Sequence, residues 1–299
     1  TRKESSAASD VYKRQMRGPA QRPKLVVSDV DGTLLDHRER VSTRMSGMID
    51  DMVRQGTVFT LATGRPARWL LPVLEQINVR PVVVCANGAV VYDSALDRVV
   101  HSETLSPDVQ RSLVETLRAV DPEWGFAAER VGHSAFDREG ELFCVTANYD
   151  HAWASDEHAT VRWEELVSMP AVKLLVRDHR RSSAALYETV APYIDPASAH
   201  ATFSWEGGLV EISAPGVSKR SALEWVADSV GVSADEVIVF GDMPNDLEML
   251  KWAGTGVAMG NAREEVKATA DAVTLSNDDD GVAEYLTRWF DPACRTRRH

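Results

Sequence analysis

One repeated pattern restricts this chain more than any other. A short apolar, β-branched run ends in a polar or glycine-bearing turn, and a segment with helical spacing usually follows. LVVSD precedes a helix expected from Ser42 to Gln55, and VFTLA precedes ARWLLPVLEQI, where Pro72 marks a kink. PVVVCA is a third such run, followed by VVYD and RVV, which predict a small hairpin. The pattern returns late in the chain, where EVIVF, TGVAM and DAVTL alternate with the helical segments NDLEMLKWAG, AREEVKATA and GVAEYLTRWF. SKRSALEWVADSVG is amphipathic, with Leu223, Val226, Ala227 and Val230 on one face. Runs that are apolar throughout, rather than alternating, fit strands buried on both sides. The expected fold is therefore α/β, a Rossmann-like mainly parallel sheet covered on both faces.

The stretch over 92–214 differs, with longer polar connections around the strands VKLLV and LVEIS. Because it interrupts two halves of one style, the simplest organisation is a core of 23–91 plus 215–291 with an inserted α+β cap domain over 92–214. Residues 1–22 read as a leader outside the fold. The first fifteen, TRKESSAASDVYKRQ, lack the apolar stretch of a secretory signal and resemble translated adapter sequence, with Met16 as the expected start. The tail over 292–299 is polar and basic, and is expected to be solvated.

A chain of 299 residues has room for two domains, and 44% hydrophobic with 26% charged residues is the balance of a soluble globular enzyme. A net charge of -12 opposes nucleic acid and anionic lipid, and no apolar run approaches the ~20 residues of a membrane span. Cys85, Cys144 and Cys294 form no C-x-x-C pair and read as free thiols of a cytoplasmic protein.

In an open parallel sheet, ligands bind beyond the carboxyl ends of the strands. After the first strand come Asp29, Asp31, Gly32 and Thr33; after the second, Thr63, Gly64 and Arg65; after the third, Asn87 and Gly88. EVIVF is followed by GDMPND, which supplies Asp242, Asn245 and Asp246. Asp29 and Asp31 on one face repel unless a proton or a cation intervenes. Acidic groups, hydroxyls and amides at one sheet edge suit a hard cation and a phosphate. Each also has a plainer explanation: Asn245 with Glu248 fits a helix N-cap, and Asn87 with Gly88 is a common turn. Lys219 stands at a helix start, where the macrodipole disfavours a cation and calls for a nearby anion.

Taken in order, DVDGT, the strand-terminal Thr63, Lys219 and GDMPND resemble the four motifs of the haloacid dehalogenase (HAD) superfamily. TGRP, ANGA, EISAPGVSK, VAMGNAREEVK and SNDDDGV extend the resemblance to its Cof-type (subfamily IIB) phosphatases over most of 24–290. Arg220 departs from the glycine usual after the lysine. The resemblance implies a magnesium-dependent phosphatase. Asp29 would be the nucleophile that forms an aspartyl-phosphate, and Asp31 the acid and then the base. Magnesium would bind the Asp29 carboxylate, the Asp31 backbone carbonyl and Asp242. Thr63 and Lys219 would hold phosphoryl oxygens, Gly32 and Asn87 would shape the phosphate loops with Gly64 and Arg65 alongside, and Asn245 and Asp246 would orient the metal shell and the lysine.

Alternatives are a phosphomutase of the same superfamily and a receiver-type phosphoryl-accepting switch, which the long insertion and GDMPND speak against. GTGVAMG misses the dinucleotide fingerprint, with Met259 where the third glycine belongs. The expected partner is a small phosphorylated metabolite, a sugar phosphate first and a phosphorylated cofactor second, bound by a monomer or small homo-oligomer. Trp124, Trp153, Trp163 and Trp205 could stack on a ring of such a ligand.

Overall fold

A computed structural model describes residues 21–151 and 158–290. Met16, Trp153, Cys294 and the expected tail lie outside the described residues. In chain order the strands are β1 (Leu25–Ser28), β2 (Val58–Ala62), β3 (Val82–Cys85), β4 (Val90–Asp93), β5 (Arg98–Ser102), β6 (Gly125–Glu129), β7 (Phe143–Val145), β8 (Ala159–Thr160), β9 (Lys173–Arg177), β10 (His200–Thr202), β11 (Leu209–Ser213), β12 (Val237–Gly241), β13 (Thr255–Ala258) and β14 (Ala272–Val273). The principal helices are α1 (Thr43–Arg54), α2 (Pro107–Val120), α3 (Ser183–Val190), α4 (Lys219–Val230), α5 (Leu247–Trp252), α6 (Glu264–Thr269) and α7 (Gly281–Phe290). The chain is thus mixed α/β, and its contacts divide it into two compact units. No helix among the described residues is long and apolar enough to cross a membrane.

The first unit takes its described residues from 21–63, 72–83 and 223–290. Its strands stand in the order β14, β13, β12, β1, β2, β3. β1 runs parallel to both neighbours, with Ser28 opposite Phe240 on β12 and Leu61 on β2. Both β1 and β12 are buried along their whole length, which is why their sequences are continuously apolar. Ser42 caps α1 by accepting the Met45 N–H at 2.9 Å, and Met45, Met48, Ile49 and Met52 form its buried stripe. α7 packs on α1 and coincides with the expected GVAEYLTRWF helix.

Two local expectations fail. ARWLLPVLEQI is not one kinked helix but a single turn at Ala67–Trp69 followed by a short helix over Leu71–Leu74. Pro72 falls in the first turn of that short helix, where its missing N–H costs nothing, so it starts a helix instead of bending one. In α4, Leu223, Val226 and Ala227 are buried as expected, but Val230 is exposed at the helix end.

The second unit comprises 64–71 and 84–222, with 152–157 outside the described residues. It holds the antiparallel β4–β5 hairpin and a six-stranded sheet in the order β10, β11, β9, β6, β7, β8. Alternation separates the two faces of this sheet. Ala128, Leu174, Val176, Val210 and Ile212 join a core with Leu113, Val114 and Leu117 of α2 and Leu186 and Val190 of α3. Ala127, Leu175 and Leu209 face the other way, with Phe143, Val145 and Tyr149.

Candidate active site

In the first unit, the parallel pairing of β1 with β12 brings two strand ends together, and the Asp29 N–H donates to the Phe240 carbonyl at 3.0 Å. Asp29 and Asp242 therefore leave the sheet side by side. With Asp246 they form a buried cluster whose ligand oxygens lie within 4.8 Å of one another. The Asp31 carboxyl is not a member of that cluster; it stands exposed in the loop.

The loop after β1 closes through Leu34 N–H to Asp29 O at 3.2 Å and Leu35 N–H to Val30 O at 3.0 Å. Such a tight return needs a left-handed residue, and Gly32 supplies it at φ 76°. A second constraint acts at the same position, because a Cβ on Gly32 would stand 2.5 Å from Asp242 Oδ2. Next in the chain, buried Thr33 donates its hydroxyl to Asp242 Oδ1 at 3.0 Å. Asp246 Oδ2 accepts the N–H groups of Asp242 at 2.9 Å and Met243 at 3.1 Å. The plainer alternative for Asn245, a helix N-cap, does not hold: Asn245 sits in the turn Pro244–Asp246, and α5 begins at Leu247. Asp246, not Asn245, ties this helix start to the preceding strand end, because its side chain reaches the backbone of 242–243.

Two further residues brace the loop and had no role assigned from sequence. The Asn261 side chain donates through Nδ2 to the Gly32 carbonyl at 2.8 Å, and its Oδ1 accepts the Asn277 N–H at 3.0 Å. Asn277 in turn donates to the Leu35 carbonyl at 2.8 Å. Both lie in segments of the family resemblance, VAMGNAREEVK and SNDDDGV, which was the signal available. The Arg263 N–H adds a bond to the Asp242 carbonyl at 3.3 Å. Thr63 is fully buried just after β2 in this same unit.

The second unit holds Gly64, Arg65, Asn87 and Lys219. Arg65 accepts the Ala86 N–H on its carbonyl at 3.0 Å, and its guanidinium donates to the Trp69 carbonyl at 3.5 Å. Ala86 and Asn87 are left-handed, at φ 51° and 57°. Gly88 follows at φ 104°, and a Cβ there would meet the Ser218 carbonyl at 2.0 Å. The ANG turn thus lies directly against the residue that precedes Lys219. Lys219 is the first residue of α4 and is 1% exposed, so the structure keeps the unfavourable cation at the helix start that the sequence suggested. Asn87 Oδ1 lies beside Gly64, 3.2 Å from where a Cβ would be.

The model of the haloacid dehalogenase-like hydrolases matches residues 26–286. The 5-amino-6-(5-phospho-D-ribitylamino)uracil phosphatase YitU of Bacillus subtilis is 29% identical over 270 residues, covering 90% of this chain and 98% of that protein. The HMP-PP phosphatase of Cronobacter sakazakii is 27% identical, with 90% and 96% covered. Among solved structures, the HAD superfamily phosphatase BT1666 from Bacteroides thetaiotaomicron superposes with a TM-score of 0.74 at 26% identity, over 90% of this chain and 96% of that one.

Proposed function

The chain belongs to the haloacid dehalogenase-like hydrolases, and on that premise we propose that it hydrolyses small phosphate monoesters with magnesium through a phosphoryl group carried on Asp29. The observation that carries this is the buried meeting of Asp29, Asp242 and Asp246 within 4.8 Å. Ionised carboxylates at that spacing repel by roughly 3–4 kcal/mol per pair at an effective dielectric of about 20. The Thr33 hydroxyl and the two backbone donors to Asp246 offset part of this. A hard divalent cation fits the remainder, since every donor in the cluster is a carboxylate oxygen.

Asp29 and Asp242 would hold magnesium, with the Asp31 backbone carbonyl as a further donor and Asp246 fixing the Asp242 backbone. Bound there, the ion would neutralise charge on the phosphoryl oxygens and on the nucleophile. Asp29 Oδ attacks phosphorus and forms the acyl-phosphate bond while the ester P–O bond breaks. Asp31, in the exposed part of the loop, gives its proton to the departing oxygen. It then takes a proton from the water that attacks phosphorus, which returns Asp29 as a free carboxylate and releases phosphate. The family order of motifs assigns Thr63 and Lys219 to the phosphoryl oxygens, with Asn87 shaping the phosphate loop and Gly64 and Arg65 beside it.

For the substrate we favour a sugar phosphate or a phosphorylated cofactor. One relative acts, by its name, on a phosphoribitylamino-uracil, which joins a phosphorylated polyol to a ring. A panel of such esters, assayed for phosphate release with magnesium and with excess chelator, tests the proposal. Release that is magnesium-dependent and restored on adding the ion back supports it. Full turnover in chelator, or phosphoryl migration without release, contradicts it.

A further inference from the structure

One face of the second unit's sheet ends in charge where its apolar layer would continue. Glu129 on β6 stands directly opposite Lys173 on β9, and Leu175, two residues on, stands opposite Glu211 on β11. All three charged residues share the face of Ala127 and Leu175. They are buried, at 6%, 5% and 4% exposure. Each reaches away from the sheet to the same short stretches of chain. Glu129 accepts both ends of the Arg68 guanidinium. Lys173 Nζ lies 2.5 Å from Glu211 Oε1 and donates to the Gly64 carbonyl at 2.8 Å. Glu211 Oε2 accepts the Asn87 side-chain N–H at 2.8 Å.

Buried ion pairs seldom stabilise a fold more than apolar residues of the same volume, so stability alone does not account for two of them on one face. Their targets do. Gly64 follows Thr63 directly, and Asn87 sits in a left-handed turn with Ala86, whose own backbone preference does not secure it. We propose that Lys173 and Glu211 are positioning residues that fix the Gly64 carbonyl and the Asn87 side chain, and so the geometry of the phosphate-binding turns. Arg68 and Glu129 anchor the downstream end of the 64–68 stretch in the same way. This inference rests on the phosphatase reading, because it takes Thr63, Gly64 and Asn87 to face the phosphoryl group.

The test is Lys173→Met combined with Glu211→Met, which removes both charges and keeps the volume. Its melting temperature should stay within about 5 °C of the unaltered protein. Both kcat/KM and affinity for orthovanadate, which mimics five-coordinate phosphorus, should fall by about tenfold or more. Lys173→Met with Glu211→Gln restores an acceptor for Asn87 and should recover part of both. A folded double variant whose vanadate inhibition constant and kcat/KM stay within about twofold of the starting values overturns the proposal. So does a loss of activity that follows the melting temperature while vanadate affinity is unchanged. Where the double variant is insoluble, Lys173→Met alone, which removes the donor to the Gly64 carbonyl, decides by the same vanadate criterion. An unaltered protein that neither hydrolyses p-nitrophenyl phosphate nor responds to vanadate refutes the phosphatase reading instead.

Discussion

Replacing Thr33 by valine isolates one contact in the acidic cluster. Valine keeps the branched shape at a site that is 2% exposed, so no cavity opens, and only the hydroxyl bond to Asp242 Oδ1 at 3.0 Å is lost. A hydrogen bond to a charged acceptor in a buried setting contributes about 1.5–3 kcal/mol. That bond orients a carboxylate proposed to hold magnesium, so its loss should appear as metal affinity lowered by about 10–100-fold, the range seen when groups behind a metal ligand are removed. The two estimates agree, since tenfold in a binding constant is about 1.4 kcal/mol. Without metal, the three carboxylates lose a donor that partly offset their repulsion. The metal-free variant should therefore melt lower, and the stabilisation gained at a fixed magnesium concentration should shrink. Calorimetric titration of magnesium and the magnesium dependence of p-nitrophenyl phosphate hydrolysis read this directly, with Thr33→Ser as the control that keeps the hydroxyl. A folded Thr33→Val protein with a magnesium midpoint within about twofold of the unaltered protein would refute the reasoning.

Gly32→Ala should be more damaging, because a left-handed alanine costs about 1–2 kcal/mol and its Cβ would press on Asp242; activity should fall well beyond the loss in melting temperature, and equal losses would deny the contact its role. With p-nitrophenyl phosphate, Asp31→Asn should give a burst of nitrophenolate and then a slow steady rate, since the phenolate leaves without a proton while water attack loses its base. Unimpaired steady turnover of a sugar phosphate by that variant would rule Asp31 out as acid and base. In the second unit, Asp178 accepts Arg180 Nε at 2.7 Å and Trp124 Nε1 at 3.2 Å, and the Arg180 hydrogen bond holds its pKa down to about 2. A depressed carboxylate contributes fully above its ordinary value of 3.8 and loses that contribution as pH falls toward about 2. Asp178→Asn should thus cost on the order of 1–2 kcal/mol at neutral pH and little at pH 2, because Arg180 is half exposed and water screens the pair. Identical acid-unfolding midpoints, followed by Trp124 fluorescence, would count against it.

The acidic cluster of the first unit was legible because two apolar runs, LVVSD and VIVFGD, each stop at an aspartate. Helices α1 and α7 were legible as segments of helical spacing that follow apolar runs. The braces were not, since Asn261 meets Gly32 across 229 residues of sequence and no local pattern signals that pairing. In ARWLLPVLEQI the apolar spacing alone does not show which helical turn Pro72 occupies, and that position decides whether it starts a helix or bends one. In the second unit, GFAAE has no alternation that marks a strand, and the charges inside VKLLV and LVEIS carry no message until the register places Glu129, Lys173 and Glu211 on one face. Single strands do not reveal which neighbours will share a row.

The central claim is that phosphorus is transferred to Asp29 before water arrives. Mass spectrometry of the Asp31→Asn protein, quenched in acid within the burst phase and digested, tests it most directly. The account predicts one added phosphoryl group on the peptide carrying Asp29, at a yield matching the burst, and none when Asp29→Asn is combined with it. A burst that leaves Asp29 unmodified, or a phosphoryl group found on another residue, would contradict it.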